Sequence, residues 1–160
     1  EGSKGVRFRT WKYKDVDEAI VDGALVEIQP GCRTPVQYVE TDHEFQENFQ
    51  KGKFLIFHID KDGLSVYKFD SSAEEVSFSL EVKKGEVMCI YALGENDRSC
   101  EVVEFEKPGF STAKLISISK DTEKIGDLEI PAVFWKALKM LDEGIEDDLP
   151  VDILDLAEET

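Results

Sequence analysis

Short alternations of apolar and polar residues recur from residue 6 to residue 119, each closed by a turn signal. Val6, Phe8 and Thr10 alternate with Arg7, Arg9 and Trp11, and Val76, Phe78, Leu80 and Val82 alternate with Ser77, Ser79 and Glu81. A period of two residues is the signature of a strand with one buried face. Further strands are predicted over residues 24–28, 36–39, 44–49, 64–69, 100–105 and 113–119. Phe54 to Ile59 is strongly apolar and Val87 to Ala92 follows the Lys83-Lys84-Gly85 turn, and both are predicted strands. Asp60-Lys61-Asp62-Gly63 between two of these runs is the clearest hairpin turn. Many short strands punctuated by Gly, Pro, Asp and Asn predict a mainly β sandwich or barrel.

The last forty residues change period. Pro131 can open a helix, Phe134, Ala137, Leu138 and Leu141 then fall on one face, and Gly144 can stop it. Asp148 and Pro150 predict a second helix that buries Ile153, Leu154 and Ala157. The expected organisation is a β domain over 4–120 and an acidic helical extension over 121–160, packed on that domain or on a partner chain.

Charge and composition narrow the functions. The chain has 160 residues, 41% hydrophobic and 34% charged, which suits one domain with a real core. A net charge of −16 argues against nucleic acid as a partner, because phosphate binding rests on clustered Lys and Arg. Residues 121–160 carry 13 acids against 3 lysines, whereas residues 4–14 carry Lys4, Arg7, Arg9, Lys12 and Lys14 and no acid. A basic first strand and an acidic tail can attract each other within or between chains, and a homodimer through a sheet edge is expected. No apolar run approaches the ~20 residues of a membrane helix, so no membrane partner is expected. Cys32, Cys89 and Cys100 form no zinc or redox spacing, which predicts reduced thiols and a cytoplasmic setting.

Ile28-Gln29-Pro30-Gly31-Cys32-Arg33-Thr34-Pro35-Val36-Gln37-Tyr38-Val39 resembles the opening of the first cupin motif, in the wording of mannose-6-phosphate isomerase-type cupins. Metal-binding cupins carry a Gly, two His on one strand, a Glu and a closing Gly. Gly31, Gln37, Val39, Glu44 and Gly52 occupy that frame, with one extra residue before Gly52. Leu80 to Val87 resembles the hairpin that begins the second motif, and Glu104 to Phe110 resembles the final strands of such domains. A rival second motif, Gly126 to Pro131 with Lys136 in the His position, leaves over seventy residues between motifs and falls on helical spacing. The resemblance implies a cupin-like jelly-roll barrel or sandwich, followed here by the two C-terminal helices. Its expected histidines are replaced by Gln37 and Val39, and the third, sought near residues 96–97, by Asn96 and Asp97. An amide and one carboxylate are poor substitutes for imidazoles, so neither a metal nor another cofactor is expected.

A jelly roll without metal can still bind a small polar molecule through a few polar groups in an apolar cup, and a sugar or sugar phosphate is the expected class. If the first motif lines the cavity, Arg33, Gln37 and Glu44 stand near it, and Arg33 can clamp an anion bidentately. His58 lies on the same face as Phe54 and Ile56 and is the natural general base, with Glu44 the carboxylate to orient it. Metal-free sugar epimerases of this superfamily add a tyrosine acid, which Tyr67 or Tyr91 could supply. Against each stands a plain structural role: a hydrogen-bonded core His58, wall tyrosines, and an Arg33 paired with a surface acid. The function read from the residues is therefore a metal-independent cupin-like binding protein. The alternatives are a metal-free isomerase or epimerase using His58, and a partner-binding module acting through the acidic C-terminal helices.

Overall fold

The computed structural model describes residues 4–12, 22–40, 45–72, 77–106 and 115–156. Ten strands are arranged in two antiparallel sheets. The first sheet has the order β1 (Val6–Lys12), β2 (Asp22–Ile28), β9 (Cys100–Glu106), β4 (Phe45–Lys51), β7 (Phe78–Val82). The second runs β10 (Leu115–Ser117), β3 (Gln37–Val39), β8 (Val87–Ala92), β5 (Lys53–Asp60), β6 (Gly63–Asp70). A short β13 (Leu154–Asp155) adds to β6 in parallel. The two sheets face each other without joining along their edges, so the jelly roll is the sandwich and not the closed barrel.

Alternation along the strands divides the core in two. Phe54, Ile56, Met88 and Ile90 of the second sheet point inward and meet Val26, Phe49 and Val102 of the first. Leu55, Phe57, Ile59, Val87 and Cys89 point to the other face, where α1 (Ala132–Asp142) covers them with Phe134, Ala137, Leu138 and Leu141. β8 and the centre of β5 are thus buried on both faces, which is why their sequences are continuously apolar. β11 (Lys124–Ile125) and β12 (Leu128–Glu129) form a separate ribbon that leads into the helix. Lys136 is therefore an exposed helical residue, which removes the rival second motif.

The turns act where the sequence placed them. Gly52, the closing glycine of the first-motif frame, joins β4 to β5 with φ +119°, and a side chain there would run into that of Cys100. Asp60 and Gly63 face each other across a two-residue turn, and Asp60 Oδ1 accepts the Asp62 N–H at 2.8 Å.

The second helix does not form within the described residues. α1 ends at Gly144, φ +84°, with Gly144 N–H on Leu141 C=O and Ile145 N–H on Met140 C=O, a Schellman closure. Asp148 then takes φ +57° and Pro150 offers no N–H, so the chain runs extended to pair with β6 at Tyr67 and Lys68. The open edge of β6 offers N–H and C=O groups that a short strand satisfies. Ile153 and Leu154 remain 38% and 42% exposed rather than forming a buried helical face. No helix among the described residues is long and apolar enough to cross a membrane.

Candidate functional site

The inward faces of both sheets are graded from apolar to charged. At the Gly52 end, Ala92, Phe54 and Phe69 stand side by side across β8, β5 and β6, and Ile90, Ile56 and Tyr67 form the next row. The row after that is Gln37, Met88, His58 and Ser65, across β3, β8, β5 and β6. One step further along the same face come Glu86 and Asp60, two residues from Met88 and His58. The first sheet repeats the gradient. Val26, Val102, Phe49 and Phe78 share one level, and Ala24, Glu104, Glu47 and Leu80 the next.

His58 is the pivot of the polar end. It is 9% exposed, and its Nε2 lies 2.7 Å from Glu86 Oε1. The same Glu86 oxygen accepts the Lys83 N–H at 3.0 Å, which fixes the carboxylate against the turn before β8. Asp60 is held in the same way by the Asp62 N–H. His58, Asp60 and Glu86 each present a ligand atom within 4.8 Å of the other two.

Glu47 faces this end from the opposite sheet and is completely buried. Neither carboxylate oxygen finds a hydrogen-bond donor, and Glu104 stands directly across the strand pair. Burial, and then the neighbouring Glu104, hold the Glu47 carboxyl well above the usual carboxylate range. An un-ionised Glu47 carboxyl avoids the repulsion that two ionised carboxylates would suffer at this cross-strand position.

The sequence candidates separate by face. His58, Gln37 and Tyr67 share the inward face, and the Tyr67 ring packs on Phe78 at 5.1 Å. Tyr91 and Arg33 do not join them. Tyr91 belongs to the outer face, where its hydroxyl donates to Glu146 Oε2 at 2.6 Å, and burial pushes its pKa upward. Arg33 bridges to the Tyr91 backbone, and its guanidinium holds Asp142 bidentately at 2.8 and 3.0 Å, tying the end of α1 to the second sheet. Replacing Tyr91 by Phe is expected to cost about 0.5–1.5 kcal/mol of stability in urea unfolding, the net worth of one hydrogen bond. Glu44 and His43 lie outside the described residues. Asn96 sits at the Gly52 end, bonded to Lys53 N–H at 3.0 Å and Lys53 C=O at 3.1 Å, on the far side of the sandwich from Gln37 and Val39. Its place is structural. The side chain beside Gln37 from the second motif is Met88.

Four residues of this end were not singled out by sequence: Asp60, Glu86, Glu47 and Glu104. Their signal was phase. His58-Ile59-Asp60 places two polar groups two residues apart on an otherwise buried strand, and Glu47 and Glu104 occupy the inward phase of theirs. An acid in that phase is an anomaly the alternation alone reveals.

No family model matches the sequence, and no curated protein matches it either. Solved structures do. A vicilin from Solanum melongena matches with a TM-score of 0.53 and 12% identity, over 71% of this chain and 30% of that one. Protein SO0799 from Shewanella oneidensis matches with a TM-score of 0.52 and 16% identity, over 71% and 74%. The capsular polysaccharide assembling protein CapF from Staphylococcus aureus matches with a TM-score of 0.49 and 11% identity, over 69% of this chain. The chain spans about a third of the length of CapF, 32%. The vicilin and SO0799 are cupin-fold proteins, and this chain has the cupin fold.

Proposed function

We propose that this cupin-fold chain binds a small, polar, non-phosphorylated molecule at the charged end of the space between its sheets, and that a sugar or other polyol is the class it takes. The observation that carries the proposal is the inward row Gln37, Met88, His58 and Ser65, bordered by Glu86 and Asp60. Carboxylates accept hydrogen bonds only, Gln37 both donates and accepts, and Met88 offers an apolar surface for C–H groups. A polyol supplies hydroxyl donors to the Glu86 and Asp60 carboxylates, and bonds to ionised acceptors are the stronger ones. A phosphate fits poorly. Among the described side chains no Lys or Arg lies on the inward strand faces, and Arg33 is engaged with Asp142 outside. The sugar phosphate alternative is therefore set aside in favour of the unphosphorylated molecule.

A second reading, metal-free epimerisation or isomerisation, is favoured by one contact. His58 has a carboxylate at 2.7 Å, that of Glu86, and Tyr67 shares its face. In that reading the imidazole takes the proton from the carbon beside a sugar carbonyl while the Tyr67 hydroxyl, on the same wall, protonates the carbonyl oxygen to give the enediol. The imidazolium then returns its proton to the neighbouring carbon. A partner-binding module through the C-terminal helices is less favoured, because the apolar face of α1 is spent on the second sheet.

Thermal unfolding against neutral hexoses, amino sugars, polyols and sugar phosphates tests the reading. A ligand at ~100 times its dissociation constant stabilises by ~2.7 kcal/mol, a shift of several degrees. The expected result is a rise with an unphosphorylated compound that is lost in Gln37→Ala. No rise with any such compound, or a rise that survives Gln37→Ala, removes the proposal. Loss of solvent-deuterium incorporation into that compound in His58→Gln would then separate the enzyme from the binding protein.

A further inference from the structure

We infer that His58, Asp60 and Glu86 form a binding site for one divalent first-row transition metal ion, at positions other than those of the first cupin motif. The inference rests on the polar end being the site proposed above, and it adds a cofactor to it. The expectation of no metal was drawn from Gln37, Val39, Asn96 and Asp97, none of which belongs to this group.

The three side chains are assembled by the fold. His58 and Asp60 share one face of β5 because they are two residues apart, and Ile59 between them is fully buried on the other face, so the register cannot slip. Glu86 arrives from the turn before β8, next to His58. Bonds of about 2.1 Å to a metal set its ligand atoms roughly 3–4 Å apart. The His58 and Glu86 atoms stand at 2.7 Å and all three lie within 4.8 Å, so an ion enters by small rotations of the carboxylates. Each carboxylate is already oriented by a backbone donor, Asp62 N–H for Asp60 and Lys83 N–H for Glu86, the outer support that metal ligands require.

The charge balance points the same way. One neutral imidazole and two carboxylates offset a 2+ ion, and no described Lys or Arg side chain lies on the inward strand faces to do so. One nitrogen and two oxygen donors favour manganese or zinc over calcium, which takes oxygen alone. Three protein ligands leave positions open, and adjacent hydroxyls of a polyol are donors of the kind that fill them.

Calorimetric titration of the chelator-treated protein with MnCl2 and ZnCl2 tests the site without any organic ligand. The expected result is one ion per chain, with affinity lowered about tenfold or more in Asp60→Asn and in Glu86→Gln, both near-isosteric, and unchanged in Glu143→Gln on the acidic tail. Because the chain has two histidines, the Cu(II) form of His43→Ala should still show coupling to one imidazole nitrogen, which only His58 can supply. Absence of binding, binding unchanged in both variants, or Cu(II) without nitrogen coupling overturns the inference. Repeating the sugar panel with and without the ion keeps the two proposals apart: an ion bound and no sugar leaves this site standing and removes the ligand reading.

Discussion

Truncating Phe134 to alanine is expected to lower the free energy of unfolding by about 3–5 kcal/mol, the cost of deleting a fully buried aromatic side chain. Phe134 has no solvent exposure, and its ring meets Phe57 edge-on at 5.7 Å and Trp135 at 5.0 Å. It is the contact through which α1 covers the outer face of the second sheet, over Leu55, Phe57 and Ile59. Those residues belong to the strand that also carries His58. The helix is therefore part of the cooperative unit, and urea unfolding followed by Trp fluorescence and by far-ultraviolet circular dichroism should shift together. Trp135, whose indole N–H donates to the Thr122 carbonyl at 2.7 Å, reports on the helix once Trp11, the chain's other tryptophan, is replaced by Phe. A loss under about 1 kcal/mol, with strand unfolding unmoved, would mark the helix as an appendage.

The second large effect is a gain. Glu47→Gln is expected to stabilise the protein by about 1–3 kcal/mol at pH 8, since a neutral amide carries no buried charge beside Glu104. Burial raises the folded-state pKa of Glu47 above its unfolded value near 4.5. The unfolded chain therefore loses its proton first as pH rises. Glu47 costs least below the unfolded value, and stability is lost progressively as pH climbs from there through the folded-state pKa. The difference in stability between wild type and Glu47→Gln should grow over that window and then level off. A difference that is constant with pH would show that Glu47 does not titrate in the folded protein as its burial requires.

Alternation carried most of the fold. The period-two segments became strands close to where the pattern put them, and the two continuous apolar runs became β5 and β8, because burial on both faces leaves no polar phase to see. The second helix failed for a reason local propensity does not contain. Pro150 and the apolar residues after Asp148 fit a helix start, but the edge of β6 at Tyr67, 87 positions before Leu154, offers hydrogen bonds a strand can take. The site was legible in part. His58 and Gln37, noticed because histidine is rare here and the motif frame pointed to Gln37, do share the inward face. Arg33 and Tyr91 were misplaced relative to that site because a chain of continuous apolar strands does not announce which phase faces the other sheet. Asp60 and Glu86 were overlooked because each sits in a hairpin turn, where an acid is ordinary, and only the register brings both to His58.

The two histidines make one measurement decisive. Imidazole proton and nitrogen resonances of the whole protein can be followed as Zn(II), and then any stabilising sugar, is added. The predicted result is that the His58 resonances move at stoichiometric zinc and again with the sugar, while those of His43 stay in place. If the His58 resonances remain unchanged through both additions, the polar end of the sandwich is not the working site of this protein.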